Sequence, residues 1–128
     1  NALRAGGALA ISLVAEREGV IVGHAAYSPA YATDGTPGWY ALGPISVEPA
    51  YQHQGIGRAL IAQGTAMLVE RDAAGCILVG NPAYYSRFGY LPFPQYCPAN
   101  EPAEFFQVLP LKGGQPCSVI AFHPLFGS

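Results

Sequence analysis

The sequence predicts a mixed α/β (α+β) domain, with a largely antiparallel sheet, one central parallel strand pair and flanking helices. Three observations predict it. Ala8 to Arg17 and Val20 to Ser28 are β-rich runs that meet at Glu18-Gly19, which is hairpin chemistry. A strand over Trp39 to Val47, a helix opening at Ile56 and a strand over Cys76 to Val79 form a β-α-β unit, whose crossover should be right-handed and its strands parallel. Glu104 to Leu111 and Cys117 to Phe122 lie either side of Gly113-Gly114 and predict a closing hairpin.

The elements follow in order. Pro29 to Gly38 holds Asp34-Gly35 and two prolines and is expected to be loop. Gly43-Pro44 interrupts the next strand; proline cannot donate to a ladder, so a bulge or a departure from the neighbouring strand is expected there. Ile56, Leu60, Ile61, Met67 and Leu68 recur at helical spacing through about Ala73, with Gly75 ending the helix. Asn81 to Phe88 predicts a short helix stopped by Gly89. Pro92 to Pro102 holds four prolines and should be irregular.

Composition narrows the function classes. With 128 residues, the chain forms one domain able to bury a core. It is 51% hydrophobic and 11% charged, yet no apolar run has the length of a membrane span. A net charge of −2 with one lysine, Lys112, argues against nucleic acid, which demands clustered cations. No basic leader argues for secretion. Cys76, Cys97 and Cys117 are odd in number and lack metal spacing, so reduced thiols in a cytoplasmic protein, with no metal, are expected.

The stretch Val47-Glu48-Pro49-Ala50-Tyr51-Gln52-His53-Gln54-Gly55-Ile56-Gly57-Arg58 carries the chemistry. It joins a strand end to a helix start. The first N–H groups of a helix have no intrahelical partner, and the helix dipole adds positive potential. Such a start takes a phosphate or pyrophosphate, and glycines let the anion approach the backbone. A Walker loop would need Lys-Ser/Thr where Arg58-Ala59 stands, and a dinucleotide fingerprint would need glycine where Leu60 stands. The alternative is an exposed loop with two turn glycines.

The Gln-x-x-Gly-x-Gly pattern resembles the acyl-coenzyme A pyrophosphate loop of the GNAT superfamily of N-acetyltransferases. Asn81-Pro82-Ala83-Tyr84-Tyr85-Ser86-Arg87-Phe88-Gly89-Tyr90 resembles the helix after the family's fifth strand, with Tyr85 where the proton-donating tyrosine stands. Gly23-His24, Ser28-Pro29, Leu42-Gly43-Pro44 and Phe122-His123-Pro124-Leu125-Phe126-Gly127 are similar to the small bacterial YhbS-like subgroup. The resemblance implies that two central strands splay and that pantetheine lies in the gap. It also implies a strand and two helices ahead of the first strand seen here. Residues 1–128 would then be a single domain lacking that arm, which forms one wall of the acceptor site.

What the resemblance implies chemically is acetyl transfer from acetyl-coenzyme A to a small-molecule or peptide amine, without membrane or nucleic-acid partners and with a homodimer left open. The cofactor set is Ile45, Ser46, Val47, Gln52, His53, Gln54, Gly55, Ile56, Gly57, Arg58 and Asn81. Gln52 and His53 are expected to act through backbone N–H groups, and Arg58 through its guanidinium. A free N–H near Ile45 would stabilise the oxyanion. Tyr85 would protonate the departing thiolate, or else pack its ring with the hydroxyl at the surface. Tyr84 is expected to be structural, and Arg87 a solvated helix residue, with pairing to a phosphate as its alternative. Many relatives carry a glutamate on the fourth strand; Trp39-Tyr40-Ala41-Leu42 has none. Proton removal then falls to water, the absent arm or His24, since imidazole titrates near neutral pH. The competing function is a module that binds acyl-coenzyme A without turning it over.

Overall fold

A computed structural model describes residues 11–52, 55–99, 101–112, 116 and 118–121, with Pro44 described by its backbone alone. Strands β1 (Ile11–Arg17) and β2 (Val20–Pro29) form the expected antiparallel hairpin. Glu18 (φ 52°) and Gly19 (φ 81°) both take positive φ, the conformation that matches a two-residue turn to the twist of its strands. The expected start at Ala8 lies outside the described residues.

The predicted loop after β2 contains a two-residue strand, β3 (Tyr31–Ala32), too short to leave a periodic signal. Strand β4 (Trp39–Val47) has the bounds predicted for it. Ala25 pairs with Ile45 and Tyr27 with Leu42, so Gly43 and Pro44 together face Ala26 alone. The expected interruption is therefore a bulge.

Helix α1 (Ile56–Glu70) ends three residues before the predicted Ala73. Asp72, with φ 58°, takes the left-handed position after the cap. The Ala73 N–H donates to Leu68 O (3.0 Å) and the Asp72 N–H to Val69 O (3.0 Å), the paired bonds of a Schellman ending. Gly75, expected to stop the helix, is instead the first residue of β5 (Gly75–Val79), where a side chain would meet the Trp39 ring. Helix α2 (Pro82–Tyr85) runs into a 3-10 turn, Ser86–Phe88, stopped by Gly89 at φ 95°. Strands β6 (Leu91–Pro92), β7 (Phe106–Pro110) and β8 (Ile120–Ala121) follow.

Six strands form one sheet in the order β1-β2-β4-β5-β7-β6, antiparallel except for β4–β5. The fold class is thus the mixed one expected. The closing hairpin is not formed as predicted. β7 pairs with β5 on one side and β6 on the other, so both its edges are taken, and β8 pairs with β3 in a separate two-stranded sheet.

Two cores hold the sheet. Under α1, Ile56, Leu60, Ile61 and Leu68 pack on Ala25, Tyr27, Leu42 and Leu78. On the opposite face, Trp39, Ala41, Ile77, Phe106, Val108 and Ile120 form the second. Among the described residues no helix is long and apolar enough to cross a membrane.

The feature that positions the site is where β4 and β5 stop pairing. Their ladder runs only from Trp39↔Gly75 to Ala41↔Ile77. Beyond the bulge, no strand among the described residues pairs with the β5-facing edge of β4, which is the splay expected of the central pair.

Candidate functional site

A cleft of about 710 Å³ opens between the far end of β4, the start of α1 and the α2 segment. That is the size of a small-molecule site. Its walls are Ile45, Ser46 and Val47 from β4, then Tyr51, Gln52, Gly55, Ile56, Gly57 and Arg58, and Tyr84, Tyr85, Arg87 and Phe88 opposite.

The loop wall is built by local chemistry. After β4, the Glu48 N–H donates to Val22 O (2.8 Å) and a 3-10 turn forms at Pro49–Tyr51. Gln52 Nε2 donates to Val47 O (3.1 Å), so its side chain ties the turn back to the strand end, a job the sequence reading had not given it. Gly55 caps α1 at φ 82°, with open space where a Cβ would stand. It is needed there for its backbone conformation. No side chain caps α1 and no acidic residue lies in its first turn. Among the described residues, its leading N–H groups and dipole therefore have no side-chain cap and no first-turn anion to answer them.

The opposite wall is aromatic. Tyr85 packs on Gly80, where a Cβ would lie 2.6 Å from ring carbon Cε2. The Tyr84 and Tyr90 rings meet it edge-on at 5.0 and 6.0 Å. Burial, and secondarily the neighbouring Tyr84, raise the Tyr85 phenol above its ordinary value. It stays protonated through neutral pH. Behind it Cys76 is pushed up to about 12 by burial, and the buried Tyr27 and Tyr90 are raised for the same first cause. Cys97 is also raised, by burial and then by Glu101 and Glu104, so it is no activated thiolate.

Of the predicted site residues, Ile45, Ser46, Val47, Gln52, Gly55, Ile56, Gly57, Arg58 and Tyr85 surround this one cleft. His53 and Gln54 lie outside the described residues. Asn81 is not among the lining residues; its Oδ1 accepts from the Ala83 N–H (2.9 Å) and caps α2. His24 is not among them either. It stands across from Ser46 in the β2–β4 register, and its Nε2 lies 3.3 Å from Ser12 Oγ.

Sequence reasoning preferred a structural Tyr84 and a solvated Arg87, yet both line the cleft. Their i, i+3 spacing, with Phe88 at i+4, was a usable signal, because such residues share one helix face.

A family profile described as "Acetyltransferase (GNAT) domain" matches residues 9–92, more than half of the chain. The chain is 37% identical over 89 residues to the Escherichia coli K12 protein named "Uncharacterized N-acetyltransferase YhbS", covering 69% of this chain and 53% of that one. It is 34% identical over 85 residues to E. coli K12 YjhQ, likewise named an uncharacterized N-acetyltransferase, covering 65% and 47%. The chain thus spans about half the length of these two relatives. Among solved structures, a GNAT family acetyltransferase from Brucella melitensis in complex with acetyl-CoA superposes with a TM-score of 0.82 at 42% identity, over 98% of this chain and 73% of that one. E. coli YhbS in complex with CoA superposes with a TM-score of 0.88 at 29% identity, over 99% and 74%. With the profile match, the identities and the splayed-strand fold in agreement, this chain belongs to the GNAT family of acetyltransferases.

Proposed function

We propose that the chain transfers an acetyl group from acetyl-coenzyme A to an amine. One observation carries the reading: a single cleft joins an uncompensated helix start, suited to a pyrophosphate, to a half-buried phenol held protonated. The acetyl-CoA and CoA bound by the two structural relatives support the same donor.

In this reading, backbone N–H groups from Gln52 to Arg58 receive the pyrophosphate. The open edge of β4 from Ile45 to Val47 offers its backbone to the pantetheine amides. Attack by a neutral amine on the thioester carbonyl puts negative charge on the carbonyl oxygen, which a β4 N–H near Ile45 would stabilise. As the C–S bond breaks, the Tyr85 hydroxyl gives its proton to the sulfur. Cleft-side water takes the amine's proton; His24, set back beside Ser12, would reach it only through such water.

The test is calorimetry with acetyl-coenzyme A, followed by thiol release across an amine panel. Gly55→Asp places a carboxylate before the helix start and should abolish binding in a folded protein; unchanged affinity would refute the loop assignment. Tyr85→Phe should lower kcat by roughly 10²-fold with little change in affinity. Tight binding with no acceptor-dependent release would leave the non-catalytic binding module as the better reading.

A further inference from the structure

The geometry points to Arg87 as a second pyrophosphate-binding cation, held on the Tyr84 ring and lining the same cleft as Arg58 in the first turn of α1. The inference rests on the coenzyme A reading above and deepens it.

Arg87 belongs to the 3-10 turn after α2, remote in sequence from the glycine loop, yet it lines the same cleft. Its Cζ lies 5.6 Å from the Tyr84 ring centroid, within the range of cation–π attraction. That ring is braced in turn by Phe88, edge-on at 5.3 Å. Tyr84 also reaches the opposite wall. A Cβ on Gly57 would lie only 2.9 Å from its hydroxyl, so the phenol tip sits beside the first turn of α1, where the N–H groups are free. Gly57, Tyr84 and Arg87 therefore form a continuous contact from the helix start to the guanidinium.

Charge supports the assignment. Arg58 and Arg87 both line the cleft, and among the described residues no carboxylate does. Among the described residues Arg87 has no carboxylate partner. Both guanidiniums are exposed, so they bring positive charge to the cleft and suit an anion of more than one charge there. A pyrophosphate fits that description, and a guanidinium can meet it with two parallel hydrogen bonds.

Three ligands test it: coenzyme A and 3′-dephospho-coenzyme A by calorimetry, and pantetheine, which has no phosphate, by ligand-observed NMR. Arg87→Gln should weaken both phosphorylated ligands by roughly tenfold, leave pantetheine unchanged and flatten the salt dependence of binding. Tyr84→Leu, which keeps the cation but removes its platform, should weaken them by roughly threefold. Wild-type affinity for coenzyme A in Arg87→Gln would overturn the inference alone. So would a deficit that disappears with the dephospho ligand, since that would place Arg87 on the 3′-phosphate. A wild-type protein that binds no coenzyme A would overturn the underlying reading, and the first titration shows this.

Discussion

Gly80→Ala is the sharpest test of how Tyr85 is aimed. A methyl group at Gly80 would stand 2.6 Å from Tyr85 Cε2, 3.2 Å from Cδ2 and 3.5 Å from Cζ. The backbone cannot give way easily. The Gly80 N–H donates to Phe105 O (3.0 Å), and Gly80 O accepts from the side chain of the buried Gln107 (2.9 Å). The ring must retreat instead, from 2.6 Å to the 3.4 Å of ordinary contact at Cε2, about 0.8 Å. The Tyr84 and Tyr90 rings, edge-on at 5.0 and 6.0 Å, oppose a turn about χ2 that would leave the hydroxyl in place. The ring therefore swings about χ1, and its hydroxyl, farther from the pivot, moves at least as far as Cε2. A misplacement near 1 Å costs a positioned catalytic group up to roughly 10²-fold. We therefore expect kcat to fall by roughly 10- to 100-fold while the KM for acetyl-coenzyme A stays within about threefold. The double variant with Tyr85→Phe should be no worse than Tyr85→Phe alone, because the displaced hydroxyl is already gone. Steady-state kinetics of the four proteins decides it. Undiminished turnover in Gly80→Ala would refute the reasoning, as would losses that multiply in the double variant.

Gly64→Ala should destabilise the fold by about 1–3 kcal/mol in urea unfolding, although alanine favours helix, because its methyl would run into the fully buried Tyr27 ring; a stabilised variant would contradict the packing. The raised Cys76 thiol stays protonated in the folded protein after an unfolded one ionises, so its contribution is complete below pH 9 and is lost as pH rises toward 12. Tyr27 and Tyr90 act in the same direction, and unfolding free energy should fall above pH 9, less steeply in Cys76→Ala; a flat profile to pH 11 would count against these buried groups. His24→Gln, changing a residue set back from the cleft, should keep turnover within about threefold of wild type with the same pH profile of kcat/KM; loss of the acidic limb would make His24 the base.

What was legible in the sequence was what the backbone decides locally. Glu18-Gly19 announces a turn because few residue pairs tolerate two positive φ angles, and Gly43-Pro44 announces a bulge because proline has no N–H for the ladder. What failed depends on which elements meet. Gly75 was taken for a helix stop, but its bareness answers the Trp39 ring, while Asp72 provides the left-handed cap that glycine usually supplies. The closing hairpin was a sound local inference defeated by competition for edges, since β5 and β6 already occupy both sides of β7.

The same division runs through the site. The loop wall is made of backbone donors at a helix start, so its glycines were readable without knowing the fold. The aromatic wall is made of side chains that acquire meaning only when the fold brings Tyr84 beside Gly57. Tyr84 was set aside because adjacent helix positions face different ways, yet both tyrosines line the cleft, of which the one-turn α2 forms part of a wall. Gly57 and Tyr84 explain each other. The glycine leaves room at the helix start, and the phenol fills that room from the opposite wall. On the proposed function, the loop would offer an anion its donors, whereas the α2 segment would enclose it and set where the phenol stands.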